Sequence, residues 1–267
     1  MKTIGFIGTG NMGGAIIRSV SPLKSWQVLV YDVRSEVAAL LAQETGCVHA
    51  SFEEVLSRSD IIVLAVKPQV LPSLYPKLKG QGKKGYISMA AGVSLETLTE
   101  NLGTKEVVRI MPNIAASVGK AVTALAVHPQ ASKELADESM RLVRSFGSAH
   151  VLEEKYFGAF IGISGSAIAT VFAFLHGMAM GGVHEGLPYG KALELISDTA
   201  QSAIALVRSS GRHPQELLTQ VCSPGGTTIE SIQVLEAGAF AGLLMESVEA
   251  ASERAQELER LAKDGNR

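Results

Sequence analysis

Cysteine is almost absent. Cys47 and Cys222 stand far apart in 267 residues and in no metal-ligand spacing. That excludes a disulfide framework and a cysteine-built metal centre, so no metal is expected and a reducing, cytoplasmic compartment is. Excess charge of either sign is lacking too: 24 Lys and Arg against 26 Asp and Glu leave a formal net charge of −2. Without a basic run to track phosphates, nucleic acid is not an expected partner. The first residues, Met1 to Gly8, lack the basic start and cleavage site of a secretory signal and read as a buried strand. Between Phe157 and Val183 there is no Asp, Glu, Lys or Arg at all. Such a stretch is long enough to span a bilayer. It is crowded, however, with Gly162, Ser164, Gly165, Ser166 and Ala167, and its flanks show no basic asymmetry. A helix apolar all round suits a buried core or a subunit interface equally well, so association between copies is expected and a membrane is not.

What is present is an alternation. Apolar runs at Ile4 to Ile7, Gln27 to Tyr31, Val48 to Ala50, Ile61 to Val66, Tyr86 to Met89 and Val107 to Met111 read as strands. Helical patterns lie between them at Asn11 to Val20, Glu36 to Thr45 and Ser51 to Ser57. The last opens on a capping box, with Ser51 as cap and Glu54 three residues on. Strands separated by helices imply a parallel sheet of βαβ units. After about Val151 the strand-like runs stop and four or five helices follow, including Lys191 to Ser209 and Phe240 to Ala262. The expected fold is an α/β Rossmann dinucleotide-binding domain over residues 1–153 followed by an all-helical domain over 154–267.

Gly8, Thr9, Gly10, Asn11, Met12 and Gly13 match G-x-G-x-x-G between the first strand and the first helix. There the pattern has a mechanism. Gly8 permits a tight turn, Gly10 lets the backbone approach a pyrophosphate, and Gly13 lets helix and strand pack closely. Asp32 ends the second strand, where an acid binds adenosine ribose hydroxyls and favours NAD. Arg34 and Ser35 follow and suit the 2′-phosphate of NADP instead. The two readings stay open at this point. Ala65, Val66, Lys67 and Pro68 end a later strand at the carboxyl edge of the sheet, where ligands bind in open α/β folds.

Further on, Ser88-Met89-Ala90-Ala91-Gly92-Val93, Met111-Pro112-Asn113, Gly186-Leu187-Pro188 and Cys222-Ser223-Pro224-Gly225-Gly226-Thr227-Thr228-Ile229 occur in that order. Over nearly its whole length the chain resembles the pyrroline-5-carboxylate reductases. The resemblance implies reduction of 1-pyrroline-5-carboxylate to L-proline with NADPH, NADH being possible, and a helical domain that mediates dimerisation. It implies a homodimer, with a ring of dimers as a further step, and an active site between the cofactor domain of one subunit and the helical domain of its partner. Ala90 and Asn113 then join Gly8, Gly10, Asn11, Met12, Gly13, Asp32, Arg34, Ser35, Ala65, Val66, Lys67 and Pro68 as cofactor-binding positions. Ser223, Gly225, Gly226, Thr227 and Thr228 become the substrate-binding positions, Thr228 being the one that contacts the ring nitrogen.

That last stretch makes sense on its own terms. Pro224 and two glycines break a helix and leave successive N–H groups free at the next helix start, a site suited to a carboxylate. A protonated cyclic imine is already electrophilic, so the protein needs mainly to position it and exclude water. His213, His184 and His176 are therefore given no catalytic role, and His176 reads as a satisfied core histidine. Two departures from the family pattern stand out. Ile114-Ala115 replaces Thr-Pro, and Ala167-Ile168-Ala169-Thr170 replaces Gly-Pro-Ala-Tyr, which should straighten that helix. They keep two alternatives in view: a paralogue reducing another cyclic imine, and a non-catalytic dinucleotide-binding regulator. A β-hydroxyacid dehydrogenase is set aside because Lys191 lacks the neighbouring asparagines of that family.

Overall fold

The structure is a computed structural model describing residues 1–82 and 84–264. The chain forms two compact units, one of residues 1–165 together with the chain from Ala250 on, the other of residues 166–249.

The first unit holds an eight-stranded sheet. In chain order its elements are β1 (Thr3–Ile7), α1 (Asn11–Val20), β2 (Gln27–Tyr31), α2 (Ser35–Thr45), β3 (Val48–His49), α3 (Phe52–Arg58), β4 (Ile61–Leu64), α4 (Leu71–Leu78), β5 (Gly85–Ser88), α5 (Leu95–Leu102), β6 (Val107–Pro112), β7 (Ala121–Val127), α6 (Lys133–Arg144) and β8 (Gly147–Val151). The strand order is β3-β2-β1-β4-β5-β6-β7-β8. The order reverses between β1 and β4, and a ligand crevice forms at such a switch point, outside the carboxyl ends of the strands. Side chains alternate across the sheet, giving two core layers. Ile4, Phe6, Val28 and Val30 pack with Ile16 and Ile17 of α1, whereas Ile7, Leu29, Ile62 and Leu64 pack with Val55 of α3 and Leu71 and Tyr75 of α4. Strands covered on both faces explain the unbroken apolar runs.

The expected strands all form, within a residue or two of their expected ends. The wholly parallel expectation is corrected at one edge. β7 runs antiparallel to β6, reached through a 3₁₀ turn at Ile114–Val118, and β8 then adds parallel to β7. Neither β7, α6 nor β8 was anticipated. The capping box at Ser51 is present, with the Ser51 hydroxyl accepting from Glu54 N and the Glu54 carboxylate from Ser51 N.

The expected boundary between 153 and 154 falls just after β8, at the turn Glu154–Tyr156. The first unit runs on past it through α7 (Phe157–Phe160), because Phe157 and Phe160 are buried in the second core layer. A π-helical turn over Ile161–Ser166 follows. Then come α8 (Ala167–His184), α9 (Tyr189–Ser210), α10 (Pro214–Val221), α11 (Thr227–Ala237) and α12 (Phe240–Asp264). α8 is unbroken from Ala167 on; the irregularity lies in the π turn before it. α12 starts in the second unit and ends in the first. The helical stretch Glu154–His184 contains an 18-residue window of mean hydropathy 1.9 and is long and apolar enough to cross a membrane by length and composition. Many of its large apolar side chains, among them Ile163, Val171 and Phe172, are exposed in the single chain.

Candidate functional site

The glycine loop is shaped by close approach. Gly8 ends β1 at φ +103°, and a Cβ there would lie 2.6 Å from the Ala65 carbonyl oxygen. A Cβ on Gly13 would lie 2.5 Å from Gly8 O and 3.0 Å from Ala65 Cβ, so α1 rests directly on the strand ends. At Gly10 the opposite holds: nothing lies within 4 Å of an added Cβ. Gly10 is the N-cap of α1 and no side chain caps that helix, with Asn11 exposed and Met12 half-buried beside it. Unpaired N–H groups, a positive helix end and open space together fit a pyrophosphate.

Asp32 turns inward. Its Oδ2 accepts from Thr9 N at 2.7 Å and Thr9 Oγ1 at 2.9 Å, and its Oδ1 from Arg34 N at 3.0 Å. Burial alone would raise its pKa, but the hydrogen bonds from Thr9 and Arg34 outweigh that and hold the carboxyl below its ordinary value. The acid braces the glycine loop. Arg34 stays out in solvent, its Nε 3.9 Å from Asp32 Oδ1. Ser35, first residue of α2, has its hydroxyl 3.3 Å from His49 Nε2 on β3, a neighbour the sequence reading did not single out.

Along the same sheet edge, Ala65 follows β4 with its N–H donated to Ile7 O at 2.9 Å, and Val66 is half-buried. Lys67 is exposed, and Pro68 opens a 3₁₀ turn. Ala90 is buried in the loop after β5, its N–H 3.3 Å from Ser88 Oγ. Asn113, at the end of β6, is buried and spoken for by protein. Its Oδ1 accepts from Val122 N at 3.2 Å and its Nδ2 donates to Ser164 Oγ at 3.4 Å, tying β6 to β7 and the π turn.

In the second unit, Ser223–Gly226 forms a turn closed by Gly226 N donating to Ser223 O at 3.0 Å. Pro224 at the second position and Gly225 at φ +66° at the third follow type II chemistry. A Cβ on Gly226 would collide with the Ser223 hydroxyl. Gly226 then caps α11 with no side-chain hydrogen bond, so the first N–H groups of that helix face outward beside exposed Thr227 and half-buried Thr228. This turn can receive a carboxylate.

The histidines fall elsewhere. His213 is the N-cap of α10, its Nδ1 accepting from Gln215 N at 3.2 Å, and His184 is exposed. His176 is corrected: it is exposed rather than a core residue, with Nδ1 3.1 Å from the Tyr189 hydroxyl. The sequence reading also passed over Arg109 on β6, 1% exposed among apolar neighbours. Its Nη1 donates to Glu154 Oε1 at 2.7 Å and to Glu259 Oε1 at 2.9 Å, and the guanidinium lies 4.8 Å from the Phe157 ring centroid. Among the described residues, no group of three or more His, Cys, Asp or Glu is placed to hold a metal ion.

Comparison with known proteins points to one family. Residues 154–258 match the family model described as pyrroline-5-carboxylate reductase dimerisation, and residues 3–92 match that of the NADP oxidoreductases, coenzyme F420-dependent. A Glycine max pyrroline-5-carboxylate reductase is 38% identical over 96% of both chains. The solved 1-pyrroline-5-carboxylate reductase of Streptococcus pyogenes is 30% identical, covering 96% of this chain and 98% of that one, with a TM-score of 0.88. The Plasmodium falciparum pyrroline carboxylate reductase, solved with NADP bound, is 26% identical over 97% of this chain and 98% of that one, with a TM-score of 0.86.

Proposed function

This chain belongs to the pyrroline-5-carboxylate reductase family, and from that premise we propose that it reduces 1-pyrroline-5-carboxylate to L-proline as a homodimer with NADPH as the preferred reductant. It is an NAD(P)H-dependent oxidoreductase acting on a small molecule, and its helical segment is a dimerisation domain. One observation carries the reading. The chain holds two separate anion-ready helix starts, the open cradle at Gly10 for a pyrophosphate and the Pro224–Gly226 turn for a carboxylate.

When bound, the reduced nicotinamide supplies a hydride to the imine carbon while the imine π electrons pass to the ring nitrogen, which arrives protonated and leaves as an amine. The protein's share is positioning. The N–H groups at the start of α11 hold the carboxylate, and the Thr228 hydroxyl accepts a hydrogen bond from the ring N–H. The Gly8–Gly13 loop, with Ala65 to Pro68 and Ala90 along the sheet edge, seats the dinucleotide. Because the Asp32 oxygens are turned to Thr9 and to the Arg34 N–H, while the Arg34 and Ser35 side chains are exposed and open to a ribose phosphate, the arrangement supports NADPH over NADH. The exposed apolar side chains of α8, such as Phe172 and Met178, support pairing with a second copy.

The test is nicotinamide oxidation by purified protein with 1-pyrroline-5-carboxylate, run with NADPH and NADH in parallel. Turnover favouring NADPH is expected. Nucleotide binding without turnover would overturn the substrate assignment.

A further inference from the structure

Resting on the dinucleotide site proposed above, we infer that Arg109 and Glu259 are positioning residues for the nicotinamide half of the cofactor. Together they hold the loop 89–93, which carries Ala90, so that the last helix of the chain helps to set where the reacting ring lies.

Topology places the loop. The strand order reverses between β1 and β4, and each side of such a switch point takes one half of a dinucleotide. Asp32 at the end of β2 marks the adenosine side, so the loop after β5 lies on the nicotinamide side. Its first N–H, at Met89, is donated to Leu64 O at 3.2 Å, which anchors it to the end of β4. Gly92 and Val93 are buried although the loop crosses the sheet edge. At Gly92 the cover is α12. Gly92 turns at φ +73°, and a Cβ there would lie 3.2 Å from Leu258 O and 3.4 Å from Glu259 N. The fit leaves little room for a side chain.

One guanidinium fixes both that contact and the exit of the loop. Arg109 pairs in register with Ser88, the last residue of β5. Its Nη1 donates to Oε1 of Glu259, the neighbour of Leu258, at 2.9 Å, and to Glu154 Oε1 at 2.7 Å. The same Glu154 oxygen accepts from Leu95 N at 2.7 Å, at the first residue of α5, just beyond Val93 and Ser94. The loop is thus gripped on its α12 face and at its exit by groups that converge on one buried side chain. Packing alone does not ask for this, because apolar residues in place of a buried ion pair are often as stable. What a hydrogen-bonded charge adds is a fixed direction for each partner. Without the Glu259 contact the loop keeps its anchor on β4 but loses its cover, and the nicotinamide loses a defined seat. The pyrophosphate and adenosine rest on the glycine loop and the end of β2, on the other side of the switch point.

The experiment is calorimetric titration of the full-length protein with NADP⁺ against 2′,5′-ADP and with NAD⁺ against ADP, each a dinucleotide and its adenine-side fragment. Wild type is compared with Glu259→Ala, Glu259→Gln and Gly92→Ala. The Glu259 side chain is partly exposed, so its truncation leaves the fold intact. In wild type the dinucleotide should bind more tightly than its fragment. Glu259→Ala and Gly92→Ala should each weaken the better-bound dinucleotide about fivefold and leave its fragment within about twofold, as contact is lost on the nicotinamide side alone. Glu259→Gln keeps an oxygen for Arg109 and should recover most of the loss. Equal losses for dinucleotide and fragment would overturn the inference, since a merely structural role lowers both together. Dinucleotide affinity unchanged in both Glu259→Ala and Gly92→Ala would overturn it as well. Wild type binding neither dinucleotide would overturn the nucleotide site and this inference with it. Binding is read without the imine, so failure to reduce pyrroline-5-carboxylate would strike the substrate reading and leave this one standing or falling on the titrations.

Discussion

Arg109→Met is the sharpest perturbation of the first unit. The arginine side chain is 2% exposed and meets two carboxylates, but Glu154 and Glu259 are 27% and 38% exposed. Removing one partner of a fully buried ion pair costs about 3–5 kcal/mol. Here both orphaned carboxylates can turn toward water, so about 2–3 kcal/mol is expected. The partners should not be equivalent. Glu154 Oε1 also accepts from Leu95 N at 2.7 Å, at the start of α5, so Glu154→Gln should cost about 1–2 kcal/mol. Glu259 makes the more exposed contact, and Glu259→Gln should cost under about 1 kcal/mol. Urea unfolding at fixed protein concentration measures the series, because association contributes to apparent stability. With m near 2–3 kcal/mol/M, the Arg109→Met midpoint should drop by about 1 M. Adding Glu154→Gln to Arg109→Met should recover part of the loss, since an unpaired charge is removed. A loss at Arg109 no larger than at Glu259 would refute the reasoning.

Three further outcomes are expected. Gly10→Val fills the open space over the α1 N-terminus and should weaken dinucleotide binding at least tenfold by titration, about 1.4 kcal/mol or more; unaltered affinity would remove the pyrophosphate from that loop. Thr228→Ala should lower kcat/KM for the imine by about tenfold or more while NADPH affinity stays near wild type; equal effects on both would place the threonine outside substrate contact. Asp32→Asn should lower the melting temperature at neutral pH. The folded-state pKa of Asp32 is depressed, so its stabilisation is present above its unfolded value of about 4 and is lost as pH falls through the folded one. The gap between wild type and variant should therefore close in acid, and a gap widening there would contradict the hydrogen-bond account.

Legibility followed locality. The glycine loop, the Ser51 cap and the Pro224–Gly226 turn could be read because each depends on a few adjacent residues and their backbone needs. β1, β2 and β4 could be read because burial on both faces writes an unbroken apolar run. β8, Gly147 to Val151, is an exposed edge strand with no such pattern, and β7 was hidden because nothing in an Ala- and Val-rich run fixes its direction. The choice Asp32 makes between a ribose and the N–H and hydroxyl of Thr9 is a side-chain orientation, which composition does not encode. Arg109 escaped notice for a different reason. Its partners lie 45 and 150 residues downstream, and only the folded chain brings them to one β-strand.

Those two separations carry different entropic costs. Loop-closure entropy makes the Glu259 contact about 1 kcal/mol harder to reach from the open chain than the Glu154 contact. The Arg109–Glu154 pair lies within the stretch from β6 to the turn after β8, whereas the Glu259 contact requires α12 to return from beyond the helical unit. Chain order and spatial order part company here. The segment from Ala250 on is written after the helical unit yet belongs to the sheet. A graft or exchange that treats residues 1–165 as a portable nucleotide-binding module would leave Arg109 with half its counter-charge and expose the surface that α12 covers. Swapping the helical unit between relatives should succeed only when the 250–264 segment stays with the sheet it seals.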